Sequence, residues 1–454
     1  MTKKRYEMDM CNGPLTKKIF IFSIPLMCSG ILQLLFNAVD MIVVGRYSGS
    51  QALAAVGSTG SLINLLVNVF IGLSVGSNVL MARAYGSHNE EDMCEILHTA
   101  LLLSVLCGFF LSFVGIFSAK PLLILMGTPE EVINLAALYM KIYFAGMPAM
   151  LLYNFGSSIL RAMGDTKRPL YFLLIAGVTN AVLNLIFVIV FHMSVAGVAL
   201  ATVIAQCISA SLIVICLMRT SSSYQLVLSK LHINKTVLLK MMRIGLPAGL
   251  QGAIFSISNA LIQSSVNSFG AIAMAGSAAT ANLEGFVYTS MNAFHQTALN
   301  FTGQNIGGKK YERIKPILYT CLISVFIVGS LMSLLFFTFR IPLLHLYTSD
   351  SAVIAYGVSR MKVIFFTYFL CGIMDVLVGV IRGLGYSILP MFVSLLGVCG
   401  LRVLWVFTVF RLSPSFRTLY LSYPVSWGIT LTLHLLCFKI LYNKLQSSQQ
   451  PLPC

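Results

Sequence analysis

The sequence predicts an all-α polytopic membrane protein with twelve transmembrane helices in two parallel six-helix repeats. The first observation behind this prediction is composition, because the 454 residues are 57% hydrophobic and only 10% charged. Soluble domains carry roughly 25% charged residues, so this chain lacks the polar groups needed to cover a water-exposed surface. The other two observations are a series of long apolar segments and an internal repeat.

Each apolar segment is long enough to cross a bilayer, for which a helix needs about 20 residues. The fifth and sixth segments are separated only by a short gap around Met193. We predict twelve spans, at residues 17–44, 52–80, 94–118, 134–160, 168–192, 194–218, 239–266, 271–301, 316–339, 354–381, 388–410 and 419–441.

The distribution of Lys and Arg predicts the orientation of these spans. With the N-terminus in the cytosol, 21 of the 30 basic residues lie in cytosolic segments and eight in external ones, Arg360 among the latter. This asymmetry predicts that both termini are cytosolic, in a protein of the plasma membrane. Because the basic residues form no continuous stripe, the net charge of +16 does not indicate nucleic-acid binding.

The eleven cysteines are scattered, mostly within apolar segments, with no C-x-x-C pair and no metal-ligand spacing. This pattern is typical of small buried apolar residues rather than of disulfides. The first apolar segment exceeds signal-peptide length, so we expect no cleaved leader and a first helix that directs membrane insertion. Neither a resident metal nor a cofactor is expected.

The second half of the chain repeats the first. The segment ILRAMGDTKRP at 159–169 matches VIRGLGYSILP at 380–390 with an offset of 221, which also pairs Gly86 with Gly307. Six helices per half is an even number, so both halves enter the membrane in the same direction, as in many transporters. A duplicated structural scaffold is the alternative. The predicted boundaries are a cytosolic segment 1–16, a first lobe 17–219, a linker 220–238, a second lobe 239–441 and a tail 442–454.

One carboxylate, Asp40, lies within the apolar stretch LQLLFNAVDMIVVG, and Gln33 and Asn37 share its helical face. A lone charge in a membrane helix is costly unless it is paired or protonated, and intramembrane acids are therefore functional by default. We expect Asp40 to bind and release a coupling ion. An interhelical hydrogen-bonding clamp is the alternative, and Asn37 is expected to be mainly structural.

Further polar residues lie at a similar depth in the fifth and sixth helices. Asn180 and Asn184 form an i, i+4 pair, and Thr202 lies on the following helix. We expect these side chains to converge on Asp40 inside the first lobe, where amide and hydroxyl donors would stabilise its charged form.

The second half contributes two acids, Glu284 and Asp375, and Asp375 occupies the position of Asn154 in the repeat. Arg402, deep in the eleventh helix, is the expected counter-charge of either acid. One interpretation is a fixed ion pair with Arg402. The other is that the acids attract cationic substrates or carry protons.

The sequence contains no recognisable machinery for ATP hydrolysis. The glycine-rich stretch AVGSTGS lacks the Lys-Ser/Thr ending of a phosphate-binding loop, so an ion gradient is the expected energy source. Some of the 22 Met and 30 Phe residues would form a pliable wall that tolerates varied ligands. The remaining candidates for substrate or proton binding are Gln251 and Asn259 on the seventh helix.

Stretches in both halves resemble the multidrug and toxin extrusion (MATE) family of secondary antiporters. They are IPLMCSGILQLLFNAVDMIVVG, GSQALAAVGS, ILRAMGDTKRP, VAGVALATVIAQ and FTGQNIGGKKYERI. The resemblance covers roughly 15–440 and implies two lobes in a V shape that export small, often cationic organic molecules in exchange for H⁺ or Na⁺. It also implies that Asp40 is the coupling acid with Asn180 and Thr202 as partners, and that Glu284 and Asp375 line the second lobe.

The chain departs from this family at two places. Members often carry Asp four residues after Asn180, where this chain has Asn184, and some carry an acid on the seventh helix, where PAGLQGAIFSIS has none. A single carboxylate makes a weaker site for a hard cation, so H⁺ is favoured, with transient Na⁺ near Asp40 as the alternative. We expect a monomer in the lipid bilayer. The alternative functions are a lipid-linked saccharide flippase, which would need cations facing its cleft, and a membrane-embedded enzyme.

Overall fold

The computed structural model describes residues 6–220 and 224–447, and every regular element in these residues is helical. The first half contains α1 (Leu15–Tyr47), α2 (Ser50–Gly86), α3 (Glu90–Leu125), α4 (Glu130–Ala145), α5 (Met147–Ala162), α6 (Lys167–Leu185) and α7 (Ser194–Met218). The second half contains α8 (Lys235–Asn267), α9 (Ala271–Gly307), α10 (Ile314–Thr338), α11 (Arg340–His345), α12 (Ser351–Ile364), α13 (Tyr368–Gly383), α14 (Ile388–Ser394), α15 (Leu401–Phe407), α16 (Val409–Leu412) and α17 (Phe416–Ser447).

Most of the predicted spans correspond to helices that are long and apolar enough to cross a membrane. Among the described residues, nine candidate spans meet both conditions, and two bent pairs raise the number to eleven. The one predicted span outside these eleven, the eighth at 271–301, corresponds to α9, which has 37 residues but carries Glu284 and several amide side chains. The predicted class, an all-α polytopic membrane protein, is confirmed.

Two of the predicted spans are bent pairs rather than continuous helices. The pair α4 and α5 bends by 49° around Gly146, and the pair α12 and α13 bends by 50°. At the second bend, Thr367 Oγ1 donates to the carbonyl of Val363 at 2.8 Å, a local bond that competes with continued helix. The gap predicted around Met193 is confirmed, because a π-helical turn at Ile186–Val190 precedes it and α7 begins at Ser194.

The repeat extends to the lengths of the helices. Helices α2 and α9 have 37 residues each and end at Gly86 and Gly307, which are 221 positions apart. Helices α5 and α13 have 16 residues each and begin at Met147 and Tyr368, again 221 positions apart. In these helices the two halves share lengths and positions as well as their sequence matches.

The described residues form two compact units. The first contains residues 6–14, 20–220, 224–253 and 303–311, and the second contains 15–19, 254–302 and 312–447. In the first unit, Gly72 of α2 lies so close to Gly249 of α8 that an added Cβ would be 2.2 Å from the Gly249 Cα. Small residues permit this approach, which is how helices in membranes gain contact. The lobe boundaries proposed from the sequence remain a prediction.

The chain ahead of α1 is bound to the ends of helices in the first unit. Gln304, which is only 1% exposed, accepts from the backbone nitrogen of Met10 at 3.0 Å and donates to the carbonyl of Ala162 at 2.7 Å. Asn305 donates to the carbonyl of Met10 at 3.1 Å. These bonds join the N-terminal segment to α5 and to the last turns of α9.

Candidate functional site

The first unit brings Asp40 together with the three polar residues that the sequence assigned to it. Asn184 Nδ2 donates to Asp40 Oδ1, and the amides of Asn180 and Asn184 lie 3.2 Å apart. Asn180 in turn lies 3.3 Å from Thr202 Oγ1. Asn180 and Asn184 are 4% and 0% exposed, while Asp40 itself is half-buried. All donors to the carboxylate in this Asp40 cluster are neutral groups.

A half-turn of the Asn180 amide exchanges its nitrogen and oxygen, and the hydrogen bonds that each of these two orientations allows are different. With the nitrogen towards Asp40, it donates to Oδ1 at 2.8 Å and its oxygen accepts from Thr202 Oγ1 at 3.3 Å. With the oxygen towards Asp40, the nitrogen donates to Thr202 instead. The first orientation suits a carboxylate. The second places two oxygens together and suits a carboxyl group that carries a proton, or a cation between the oxygens.

Helix packing holds the cluster in place. Gly177 of α6 lies against the Phe36 ring of α1, where an added Cβ would be only 1.8 Å from the ring. This contact brings α1 beside α6 one turn before Asn180. Since α6 ends at Leu185 and continues as the π-helical turn Ile186–Val190, the helix is widened directly after Asn184. Such turns are frequent at functional sites.

Two tyrosines of α4 border the cluster, and the sequence gave no indication of them. The charge of Asp40 acts on both Tyr139 and Tyr143, and Gln206 of α7 hydrogen-bonds the Tyr143 hydroxyl. The two rings stack with their centroids 6.0 Å apart. The two tyrosines are four residues apart and so lie on one helical face, which is the sequence signal that could have identified them as neighbours of the cluster. Tyrosines in apolar helices are common, however, so this signal is not specific.

The other polar candidates of the first unit lie outside the Asp40 cluster. Gln33 and Asn37 precede Asp40 on α1 and are exposed. Asn154 bonds within its own helix, since its Nδ2 donates to the carbonyl of Met150 at 2.9 Å. Gln251 is buried on α8, at 7% exposure. Although Gln33, Asn37 and Asp40 share a helical face, only Asp40 is part of the cluster.

In the second unit, Glu284 forms a bidentate ion pair with Arg360 of α12. The guanidinium Nε and Nη2 donate to the two carboxylate oxygens at 2.7 and 2.6 Å. Nη1 donates to Ser277 Oγ at 2.6 Å and to the Tyr420 hydroxyl at 3.1 Å. Both charged residues are 7% exposed, so this is a buried, hydrogen-bonded pair.

This pair corrects two expectations. The sequence places Arg360 among the external charges, yet it is buried within the second unit, because α12 is the first part of the bent span that α13 continues. Arg402 was the expected counter-charge of Glu284, but it donates to Ser426 Oγ at 3.2 Å and lies 3.9 Å from the centre of the Tyr423 ring. Glu284 does have a fixed partner, and that partner is Arg360.

Asp375 has different surroundings from Glu284. The Tyr288 hydroxyl hydrogen-bonds its carboxylate, and the charge of Arg382 acts on it. Its own carbonyl accepts from His295 Nδ1 at 2.6 Å, which fixes α13 against α9. Asp375 is half-buried, and Asn259 on α8 is exposed. Of the two acids Glu284 and Asp375, Asp375 is therefore the one whose side chain is partly exposed.

The chemistry of these groups is that of ion binding. No group of three or more His, Cys, Asp and Glu side chains suited to a metal ion occurs among the described residues. The Asp40 cluster offers one carboxylate, two amides and one hydroxyl, and Asn184 Oδ1 is buried there without a hydrogen-bond partner. Such a group of oxygens can accept a proton or a small cation.

Comparison with known proteins identifies the family. The MatE family model matches residues 25–186 and 247–408, two matches of equal length that begin 222 positions apart. The chain is 28% identical over 438 residues to the "Probable multidrug resistance protein YoeA" of Bacillus subtilis, with 95% of each chain covered. It is 25% identical to a "FAD transporter" of Shewanella oneidensis, with 76% of this chain and 77% of the relative covered.

Solved structures show the same fold. The "Crystal structure of MATE in the bent conformation" aligns with a TM-score of 0.89 at 20% identity, covering 97% of this chain and 98% of that one. The paired matches to the family model confirm the internal repeat, and together they cover more than half of the sequence. The chain belongs to the MatE family and is a multi-pass membrane transporter.

Proposed function

We propose that this transporter is an ion-coupled antiporter of the plasma membrane that exports amphipathic, often cationic, drugs or metabolites. The observation that carries the proposal is the Asp40 cluster, in which buried neutral amides hold a half-buried acid. A carboxylate held by neutral donors can gain and lose a charge, whereas one held by a guanidinium is fixed in its ionised form.

The coupling step uses the two orientations of the Asn180 amide. When Asp40 is ionised, the amide nitrogen donates to it at 2.8 Å. When Asp40 binds a proton, the new O–H donates to the amide oxygen, and the nitrogen turns to Thr202. The exchange keeps every strong donor paired in both states, so protonation does not leave a buried group unsatisfied.

A proton suits this cluster better than Na⁺. Hard cations prefer several oxygen ligands, with carboxylates contributing most of the charge. The Asp40 cluster contains a single carboxylate, because Asn184 provides an amide where a second acid would strengthen a cation site. We therefore propose H⁺ as the coupling ion and transient Na⁺ as the alternative.

The two acids of the second unit take different roles in this proposal. Arg360 neutralises Glu284, so Glu284 holds helices together rather than attracting substrate. Asp375, hydrogen-bonded by Tyr288 and half-buried, is the better candidate to attract a cationic substrate. Protonation of Asp40 and substrate occupancy then favour different arrangements of two lobes, which gives alternating access in a monomer with cytosolic termini.

A lipid-linked saccharide flippase is the second candidate. A flippase of this kind would need unpaired cations to hold pyrophosphate. Arg360 is instead ion-paired with Glu284, and Arg402 donates to Ser426 and lies over the Tyr423 ring. A vesicle assay with a pyrophosphate-linked lipid separates this candidate from the exporter. A membrane-embedded enzyme would show turnover in detergent without a gradient.

The proposal is tested by ethidium efflux from energised everted vesicles. Wild type should transport, a proton uncoupler should abolish transport, and removal of sodium should leave it unchanged. Asp40→Asn should abolish efflux while the protein keeps its thermal stability. The matched acid-to-amide control is Glu131→Gln, at an exposed residue of α4, which should transport like wild type. Full efflux by Asp40→Asn would contradict the proposal.

A further inference from the structure

The second unit contains a pocket that lies apart from the ion pair and from Asp375. It lies between α10 and the bend that joins α12 to α13, and its volume is about 330 Å³. Its lining consists of aromatic and aliphatic side chains with two serines, and carries no charge. The lining residues are Phe326, Ser330, Ser333, Leu334, Phe337, Phe365, Phe366 and Phe369.

The equivalent place in the first half is closed by close packing. Ser112, the repeat equivalent of Ser333, donates to the carbonyl of Phe144 at 2.5 Å. Gly108 lies so close to Pro148 that an added Cβ would be 2.4 Å from the proline Cα, and Gly115 lies against the Phe144 ring in the same way. The bend alone therefore does not create a pocket, since both halves are bent by about the same angle.

The hydroxyl of Ser333 lacks the hydrogen bond that its repeat equivalent, Ser112, makes. Ser333 is 4% exposed, and its Oγ has no hydrogen-bond partner among the described residues. A buried hydroxyl without a partner is costly, and no bulk water reaches the hydrocarbon region of a bilayer to replace the missing bond. The group is thus an unpaired donor in the wall of an otherwise apolar pocket.

The mouth of the pocket is exposed and apolar. Phe326 and Leu334 of α10 and Phe366 of the bend between α12 and α13 are 46%, 57% and 58% exposed, all within candidate membrane spans. Apolar side chains exposed on membrane spans are typical of a lipid-facing surface, so we expect the occupant to come from the bilayer. An acyl chain would match the aromatic wall but would leave Ser333 unpaired, whereas a molecule with a carbonyl or ether oxygen would accept its proton. The volume lies within the range of about 300–1,000 Å³ typical of small-molecule sites.

We propose that this pocket binds uncharged aromatic amphiphiles that are dissolved in the bilayer, with the Ser333 hydroxyl donating to an oxygen acceptor of the ligand. The site is separate from the Asp40 cluster and needs no ion gradient to be occupied. In an exporter, the pocket would hold substrates that are dissolved in the membrane, and this role rests on the proposed function. Binding of a ligand in the pocket does not depend on the proposed function.

Benzophenone is a suitable probe, because it is uncharged and aromatic, carries one carbonyl acceptor and inserts into neighbouring C–H bonds under light. The protein is reconstituted in nanodiscs without a gradient, illuminated over a range of benzophenone concentrations, and the labelled peptides are quantified by mass spectrometry. Wild type should show saturable labelling of residues 326–337 and 365–369. Because the assay measures binding alone, it is independent of whether Asp40 couples transport.

Three variants decide the outcome. Ser333→Ala removes only the hydroxyl and should raise the half-saturating concentration about five- to tenfold, the value of one hydrogen bond. Ser330→Phe fills the pocket and should abolish saturable labelling, while Leu331→Phe places the same phenyl ring at an exposed residue of α10 outside the lining and should label like wild type. Non-saturable labelling that Ser333→Ala leaves unchanged would overturn the proposal and indicate that acyl chains fill the pocket.

Discussion

The two halves of this transporter hold their buried acids in opposite ways. In the first unit, Asp40 is bound by the neutral amides of Asn180 and Asn184. In the second, Glu284 is bound by both arms of the Arg360 guanidinium. The two halves match one family model over equal lengths, and α1, α2 and α5 have the same lengths as α8, α9 and α13, so we attribute the difference to side chains and not to the fold.

This difference separates two uses of a charge in a membrane. An acid paired with a guanidinium already has a fixed counter-charge, and removing that partner would leave an unpaired buried charge, which is costly. Such an ion pair therefore serves to join helices. An acid paired with neutral donors can exchange its charge with a proton or a cation from outside. Duplication supplied two equivalent bundles, and divergence of side chains made one a candidate for ion exchange.

The largest expected effect comes from breaking the ion pair. Glu284→Gln leaves Arg360 buried without a counter-charge and should lower the free energy of unfolding by about 3–5 kcal/mol. Asp40→Asn leaves amides bonded to an amide and should lower it by less than about 1 kcal/mol. Unfolding in detergent, followed by circular dichroism, measures both.

The double variant Glu284→Gln/Arg360→Gln is the control for this comparison. It removes both charges, so its loss of stability should be clearly smaller than the sum of the two single losses. Additive losses would mean that the two residues stabilise the protein independently, and the contrast between the halves would then fail.

The second prediction concerns a place where the halves are alike. An added Cβ on Gly86 would lie 2.0 Å from the carbonyl oxygen of Gln304, and one on Gly307 would lie 2.0 Å from that of Arg83. Gly86→Ala and Gly307→Ala should therefore each cost about 1–3 kcal/mol of stability, by similar amounts. Gly60→Ala on α2 meets nothing within 4 Å and should be neutral or stabilising, as thermal unfolding will show. A cost at only one of the two glycines would contradict their equivalence.

The third prediction changes the ion preference of the first half. Asn184→Asp gives the Asp40 cluster a second carboxylate, which should make ethidium efflux depend on sodium, with a rate in sodium about tenfold or more above the rate without it. Efflux by this variant in vesicles is measured with and without sodium, in the presence of a proton uncoupler. If sodium has no effect on the variant, the number of carboxylates does not set the coupling ion.

The smallest effect is expected in the segment that joins the halves. A hydrogen bond to the Lys230 carbonyl, together with the hydrogen bond and charge of Glu95, raises the pKa of His232 above its usual value. The folded protein therefore favours the protonated ring. Its stabilising contribution should be complete below a pH of about 6.5, the unfolded pKa, and should be lost as pH rises through the folded pKa.

The difference in melting temperature between wild type and His232→Ala measures this contribution. It should be small and positive at pH 5 and should vanish by pH 9. Since the ring is exposed, salt should reduce it further. A difference that grows with pH would reverse the assigned sign.

Sequence patterns predicted the features that depend on local spacing. The spans follow from apolar length, the repeat from a constant offset, and the convergence of Asn180 and Asn184 on one face from their i, i+4 spacing. The partner of Glu284 could not be predicted, because Arg360 is 76 positions away and lies near the end of a span, where a basic residue is usually counted as external. The aromatic neighbours Tyr139 and Tyr143 could not be singled out, because two tyrosines four residues apart are common in apolar helices and their spacing does not indicate a site.

The most direct test of the central claim counts the protons released when substrate binds. Calorimetric titration with ethidium, in buffers of different ionisation enthalpy, gives the number released by purified protein in detergent. The account predicts that wild type releases about one proton per bound ethidium near neutral pH, and that Asp40→Asn binds ethidium but releases none. Equal release by the two proteins, or no release by wild type, would contradict the role of Asp40 in coupling.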